Sequence, residues 1–215
     1  MFNRPKKSLG QNFLVDKNII NKIVSVSNIL NKDVLEIGPG TGNLTEYIIK
    51  KKPNKLFLVE KDETLCEQLK IKFQNSVEII NQDILKVDEK VISKKKLLVF
   101  GNLPYNISTE IICNWIIKLE KDFWFTELIL MFQKEVAERI ISKINTSSYG
   151  RLSILLNWKM DVKKLIDIGP NCFYPKPKID SSLLHFIPKK NYFPIQKSKN
   201  LEMVTRVFFS QRRKM

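Results

Sequence analysis

The chain has 215 residues, 43% of them apolar, with 37 lysines and arginines against 22 acids and a formal net charge of +15. That length is enough for one well-buried domain with a small appendage, and the apolar share excludes a disordered or fibrous chain. The basic excess favours a polyanion as partner. A membrane surface also attracts basic proteins, and a bias toward Lys, Ile and Asn would raise the count without any function.

Residues 1–14 carry Arg4, Lys6 and Lys7, then Gly10, with no steady period, and read as a basic arm ordered only against the body or a ligand. Asp16 can cap a helix whose Ile19, Ile20, Ile23, Val24 and Val26 supply an apolar face. Strands are expected at 34–37, 56–59, 77–80, 97–100 and 128–132. Helices are expected at 41–49, 62–73 and 107–117. This alternation calls for an α/β fold, a mostly parallel sheet covered on both faces, with ligands gathered at the carboxyl ends of the strands. Residues 152–158 and 181–187 are expected to close the sheet as an antiparallel pair, with a stiffened loop at 169–177 between them. Lone His185 falls in that last strand and reads as structural. From Lys189 onward eight basic residues face one acid, Glu202, and Leu201, Val204, Val207 and Phe208 have helical spacing. The expected domains are thus an arm (1–14), a catalytic domain (15–188) and an incomplete C-terminal helical unit (189–215).

Cys66, Cys113 and Cys172 are odd in number and far apart, with no metal-ligand spacing, so a reducing compartment is expected. The start of the chain lacks a long apolar run, and no later run reaches transmembrane length. The expectation is a soluble, cytoplasmic monomer that uses no metal and no membrane.

Two motifs carry chemistry. Gly38, Gly40 and Gly42 follow the first expected strand and let the backbone approach a ligand closely. Their spacing departs from the dinucleotide fingerprint, whose sixth position is here Asn43, and so suits a donor without a pyrophosphate. Glu60, ending the second strand, can accept from both ribose hydroxyls. Asp83 can accept from an adenine amine while Ile84 offers a backbone N–H to a ring nitrogen, and Glu36 lies toward the amino-acid end. The competing reading makes Glu60 and Asp83 solvated strand-end acids, and NAD also suits a carboxylate after the second strand. The second motif, Gly101-Asn102-Leu103-Pro104-Tyr105, closes the fourth strand. The Asn102 side-chain oxygen and the Leu103 carbonyl can accept the N–H bonds of an exocyclic base amine as charge develops on nitrogen. Pro104 stiffens the turn, and Tyr105 can stack on the base. Phe173 is the candidate for the base's other side, against the alternative of a core anchor. Together the motifs point to methyl transfer from S-adenosylmethionine to an adenine amine, on a nucleotide that is flipped out or unpaired. Phosphate contacts are expected from Lys6 and Lys7 on the arm, from Arg139 and Arg151 near the fifth-strand exit, and from Arg206, Arg212 and Arg213 on the tail.

The chain resembles the ribosomal RNA adenine N6-dimethyltransferase family, closest to its bacterial small-subunit branch. The likeness rests on six segments in register: Lys7-Ser8-Leu9-Gly10-Gln11-Asn12-Phe13-Leu14, residues 36–43, Asn102 to Ser108, Gln133 to Arg139, Tyr149 to Ser153, and Phe173 to Ser181. It implies a Rossmann-like class I S-adenosylmethionine-dependent methyltransferase that releases S-adenosylhomocysteine. The target it implies is a pair of adjacent adenosines in the terminal hairpin of small-subunit ribosomal RNA, within an immature ribosomal particle. It further implies that Gln11 and Asn12 frame the donor, that Glu60 holds its ribose, that Asp83 reads its adenine, and that Asn102, Tyr105 and Phe173 surround the target base; Leu14, Lys61, Ile84 and Asn102 are expected as further donor contacts. Family members usually continue through further helices that dock on ribosomal RNA, so docking by this shorter chain is in question. The large-subunit resistance branch and a non-catalytic RNA-binding assembly factor are the competing functions.

Overall fold

The computed structural model describes residues 5, 6, 9–119 and 122–210. The arm contributes a two-residue strand, β1 (Phe13–Leu14), before α1 (Lys17–Val24). Asp16 starts α1 by accepting from the N–H groups of Asn18 and Ile19 at 2.8 and 3.0 Å, and Ile20, Ile23 and Val24 are the buried face.

Five strands then run parallel in the spatial order β4-β3-β2-β5-β6: β2 (Asp33–Ile37), β3 (Lys55–Glu60), β4 (Glu78–Asn81), β5 (Leu97–Asn102) and β6 (Phe125–Gln133). The crossovers carry α2 (Asn43–Lys50), α3 (Glu63–Phe73) and α4 (Ser108–Lys118). Successive residues of β5 enter different cores: Leu97 and Val99 join Trp115 and Ile112 on one face, while Leu98 and Phe100 join Ile20 and Ile48 on the other. Both faces are covered, which is why these strands read as unbroken apolar runs rather than alternating ones.

The far edge departs from the sequence expectation. Residues 152–158 are not a strand but lie within α6 (Arg151–Lys159), which follows α5 (Lys134–Ile141). Leu152, Leu155 and Leu156 have helical spacing, and the Ser153 hydroxyl accepts the Gly150 N–H at 3.2 Å to close the first turn. The antiparallel partner of β9 (Ser181–Pro188) is β7 (Met160–Ile168), with β9 also pairing with β6. A register shift between Lys164 and Ile166 breaks the period-two pattern of β7, so its alternation cannot be seen from sequence. Within the loop 169–177, β8 (Phe173–Tyr174) pairs antiparallel with β1 and ties the arm to the body.

His185 of β9 contacts Glu127 of β6 at 2.9 Å, a structural position. Lys159 is 1% exposed and donates to the carbonyls of Ile116 and Leu119, closing the end of α4; burial pushes its pKa down to about 8. The tail forms α7 (Ser198–Ser210), which contacts α6 and α4. Its Glu202 pairs with Arg151 at 2.6 Å, while Val204, Val207 and Phe208 are exposed. Among the described residues no helix is long and apolar enough to cross a membrane.

Candidate active site

Because β2, β3, β4 and β5 run parallel, their carboxyl ends share one edge, and the strand order reverses direction between β2 and β5. That reversal opens a crevice. A cavity fills it, walled by the exits of all four strands, with Met131 of β6 at the back and residues 9–14 of the arm across the top.

Glu60 ends β3 at 8% exposure. Its two carboxylate oxygens accept from the N–H of Gly40 at 3.2 Å and from the N–H of Asp62 at 2.9 Å. Burial raises its pKa, and these backbone N–H groups oppose the rise. A carboxylate only accepts when ionised, and the lone pairs these N–H groups leave free can take a ligand's hydroxyl protons. Gly40 adopts φ +57°, and a Cβ there would sit 2.5 Å from the Phe13 ring. No side chain fits between arm and loop at this point. Glu36, the penultimate residue of β2, is 2% exposed and accepts from the Thr45 hydroxyl at 2.6 Å; burial pushes its pKa up to about 8, with Glu60 nearby adding to the rise. Asp83 follows β4. Its carboxylate takes Lys61 at 2.9 Å and the Leu85 N–H at 3.1 Å, and the Lys61 ammonium holds it below the usual carboxylate range. Ile84, 7% exposed, adds an apolar wall.

The β5 exit supplies the opposite wall. Asn102 donates through Nδ2 to the Asn12 carbonyl at 2.7 Å. A carbonyl only accepts, so this contact fixes the amide orientation and leaves Oδ1 as the atom available to a ligand amine. Asn12 is itself held by donating to the Gly10 carbonyl at 3.2 Å. Leu103, Pro104 and Tyr105 follow along the same wall. The Tyr105 hydroxyl lies 2.6 Å from the Ser181 hydroxyl of β9, which fixes the ring's position, and burial raises the phenol pKa.

The cavity therefore brings together Gln11, Asn12, Leu14, Glu36, Gly38, Gly40, Glu60, Lys61, Asp83 and Ile84 with the turn Asn102 to Tyr105. Two expected members stand outside it. Gly42 starts α2 in the left-handed region at φ +78°, against Phe73 and Leu69 of α3. Phe173 is 4% exposed and packs with Leu14 and Ile168 in the apolar cluster beneath the arm. The expected phosphate contacts are dispersed. Lys6 pairs with Asp62 at 2.8 Å, Arg139 with Glu135 on its own helix, and Arg151 with Glu202, whereas Arg206 is exposed on α7. Lys7, Arg212 and Arg213 lie outside the described residues. Three functional neighbours escaped the sequence reading: Asp62, Thr45 and Ser181. Asp62 and Ser181 have partners remote in sequence and Thr45 has Glu36, nine positions before it; only Asp62, two positions after Glu60 and capping α3, carried any local signal.

Among the described residues no group of three or more His, Cys, Asp or Glu side chains could hold a metal. The donor set does fit an adenosyl group with a charged tail: a strand-end carboxylate for a diol, a carboxylate beside an apolar wall for a base, and glycine backbone at the turn. Sheet order, crevice and donor set together define a Rossmann-like class I methyltransferase dependent on S-adenosylmethionine. Residues 2–215 match the model of the ribosomal RNA adenine dimethylase family, and the chain belongs to that family. It is similar to the ribosomal RNA small subunit methyltransferase A of Pelagibacter ubique (strain HTCC1062), 64% identical over 215 residues, covering all of this chain and 82% of the relative. The protein of the same description from Wolbachia sp. subsp. Drosophila simulans (strain wRi) is 44% identical, with 99% of this chain and 78% of the relative covered. Among solved structures, a dimethyladenosine transferase from Plasmodium falciparum aligns with TM-score 0.76 and 29% identity, covering 94% of this chain and 72% of that one. The 23S rRNA methyltransferase ErmE aligns with TM-score 0.72 at 22% identity over 92% of this chain and 79% of its own, a likeness of fold. The chain is thus an enzyme of the ribosomal RNA adenine methyltransferase family.

Proposed function

We propose that the enzyme dimethylates the N6 amines of two adjacent adenosines in the 3′-terminal hairpin of small-subunit ribosomal RNA. The observation that carries this reading is the Asn102 amide, oriented by the Asn12 carbonyl so that Oδ1 remains for an amine, in the same cavity as Glu60. The choice of small-subunit RNA is supported by the relatives above, which are described as small subunit methyltransferases.

Bound in the cavity, S-adenosylmethionine supplies a methyl group already activated by its sulfonium. Glu60 and Asp83 hold the donor, with Lys61 beside Asp83 and Gln11, Asn12 and Leu14 above. Asn102 Oδ1 and the Leu103 carbonyl accept the target amine's N–H bonds, favouring the positive charge that grows on nitrogen during attack. Tyr105, fixed through Ser181, is a plate for the base. Phe173 becomes a second plate only if its ring turns out of the cluster that it now occupies. A proton leaves to solvent after transfer, so this reading requires no metal. The partner in this reading is RNA within an immature ribosomal particle, met by a cytoplasmic monomer.

The test is incubation with labelled methyl donor and immature small subunits, large subunits or free RNA, followed by identification of the modified nucleotides. Dimethyladenosine in the small-subunit RNA is expected. Asn102→Ala should lower kcat about a hundredfold or more, the cost of removing one aligned polar contact to a developing charge, a loss larger than any weakening of donor binding that follows from losing the Asn12 contact. Label in large-subunit RNA alone, or a normal rate for Asn102→Ala, would overturn the reading.

A further inference from the structure

Asp62 lies outside the cavity, yet it is the point where the arm meets the sheet. Its side chain is 3% exposed and both oxygens are engaged. Oδ1 accepts from Lys6 Nζ at 2.8 Å and from the Thr64 N–H at 3.1 Å, and Oδ2 accepts from Gln11 Nε2 at 2.9 Å. The ring closes on itself, because Gln11 Oε1 accepts the Lys6 N–H at 2.7 Å. The N–H of Asp62 in turn donates to Glu60. Farther along, the arm is held by Asn102 on the Asn12 carbonyl and by Asn43 on the Leu14 carbonyl, the latter at 2.8 Å. Between these anchors residues 9–14 roof the cavity.

We propose that Asp62 is the latch of this roof: by holding Lys6 and Gln11 it closes the arm over the donor cavity, and the ligand enters and leaves when that latch opens. The proposal rests on reading the cavity as the donor site. It assigns Lys6 to the roof rather than to RNA. The two ends of the latch differ in exposure, since the Lys6 side chain is 51% exposed and can pass to water, whereas Asp62 is not. Opening the arm removes the Lys6 and Gln11 bonds and leaves the Thr64 N–H as the Asp62 carboxylate's remaining partner in this network, which favours closure. Asp62 is thus a positioning residue that acts on the donor through the arm.

The test compares the parent with Lys6→Met, Asp62→Asn and the double variant. S-adenosylhomocysteine binding is followed by calorimetry, and amide hydrogen exchange of residues 9–14 by mass spectrometry. Asn at position 62 retains the helix cap, and Lys6→Met changes a half-exposed side chain, so both proteins should fold. Each single change should weaken binding about tenfold, as expected for loss of one charge-assisted bond, and speed exchange in the arm. The double variant should be no weaker than Asp62→Asn alone, since both changes remove the same contact. Additive losses, unchanged arm exchange, or a Lys6→Met protein that loses affinity for RNA while binding S-adenosylhomocysteine normally would each overturn the latch. If the parent fails to bind S-adenosylhomocysteine, the donor-site reading fails instead, and arm exchange in the ligand-free proteins still decides whether Asp62 holds the arm.

Discussion

Glu36 and Glu60 lie at the carboxyl ends of neighbouring strands, Glu36 one residue before the last of β2 and Glu60 the last of β3, and their surroundings set them different tasks. Glu60 receives two backbone N–H groups that favour its ionised form, whereas Glu36 has the Thr45 hydroxyl against nearly complete burial. With a folded pKa of about 8 against an ordinary 4.5, Glu36 keeps a proton in the native state that the unfolded chain has already released. Its contribution to stability is therefore fully present below the unfolded value and is lost as pH rises toward the folded one. Glu36→Gln reproduces the protonated form and should flatten the fall of melting temperature between pH 4.5 and about 8. Identical slopes for variant and parent would remove this assignment. Asn102 shows the same dependence on surroundings. Its type suggests an amine acceptor, but which of its two amide atoms faces the cavity follows from the Asn12 carbonyl.

The pairing of β1 with β8 is the smallest unit of sheet in the molecule, and it controls how closely the arm approaches the glycine turn. Leu14 and Phe173 are opposite one another in that pair, and both are buried. The Phe13 ring then covers Gly40. Gly40→Ala adds two costs: about 1–2 kcal/mol for placing a side chain in the left-handed region, and a clash with the ring at 2.5 Å. The expected result is a lower melting temperature together with loss of donor affinity, because the arm must shift off the turn. A variant that melts and binds donor like the parent would show that the contact has no part in closing the site. At the far edge, the bulge in β7 places successive side chains out of the alternating pattern, and the helical spacing of Leu152, Leu155 and Leu156 decides that α6 is not a strand.

For the whole molecule, the dominant quantity is the charge of +15 on 215 residues. Several of its basic groups are internally paired, among them Lys6, Lys61 and Arg151, so formal charge overstates the free cationic surface. Enough remains, on Arg206 of α7 and on the many exposed lysines, for phosphate contacts to dominate RNA affinity. RNA binding should weaken steeply with salt, each phosphate contact contributing about −0.7 to −0.9 to the log–log slope, while S-adenosylhomocysteine affinity changes little. An RNA affinity that stays level as salt is raised would contradict an electrostatic grip. Filter binding across a salt series, with calorimetry on the small ligand, separates the two.

Periodicity, capping and strand-end chemistry are short-range, and they sufficed to place the Asp16 cap, the five parallel strands, and Glu60, Asp83 and the turn Asn102 to Tyr105 on one edge. Parallel strands joined by crossover helices necessarily share that edge, so residues following each strand converge without any knowledge of packing. Where the reading stopped short, the deciding partner was distant: Asp62 meets Lys6 across 56 positions, Tyr105 meets Ser181 across 76, and Arg151 meets Glu202 across 51. Phe173 carries a motif suited to stacking, yet it is buried beneath the arm. A residue's type and its immediate neighbours determine what it is able to bind. Which of its able partners it takes depends on the loops that sheet closure brings within about 3 Å, and that selection is made only when the chain has packed.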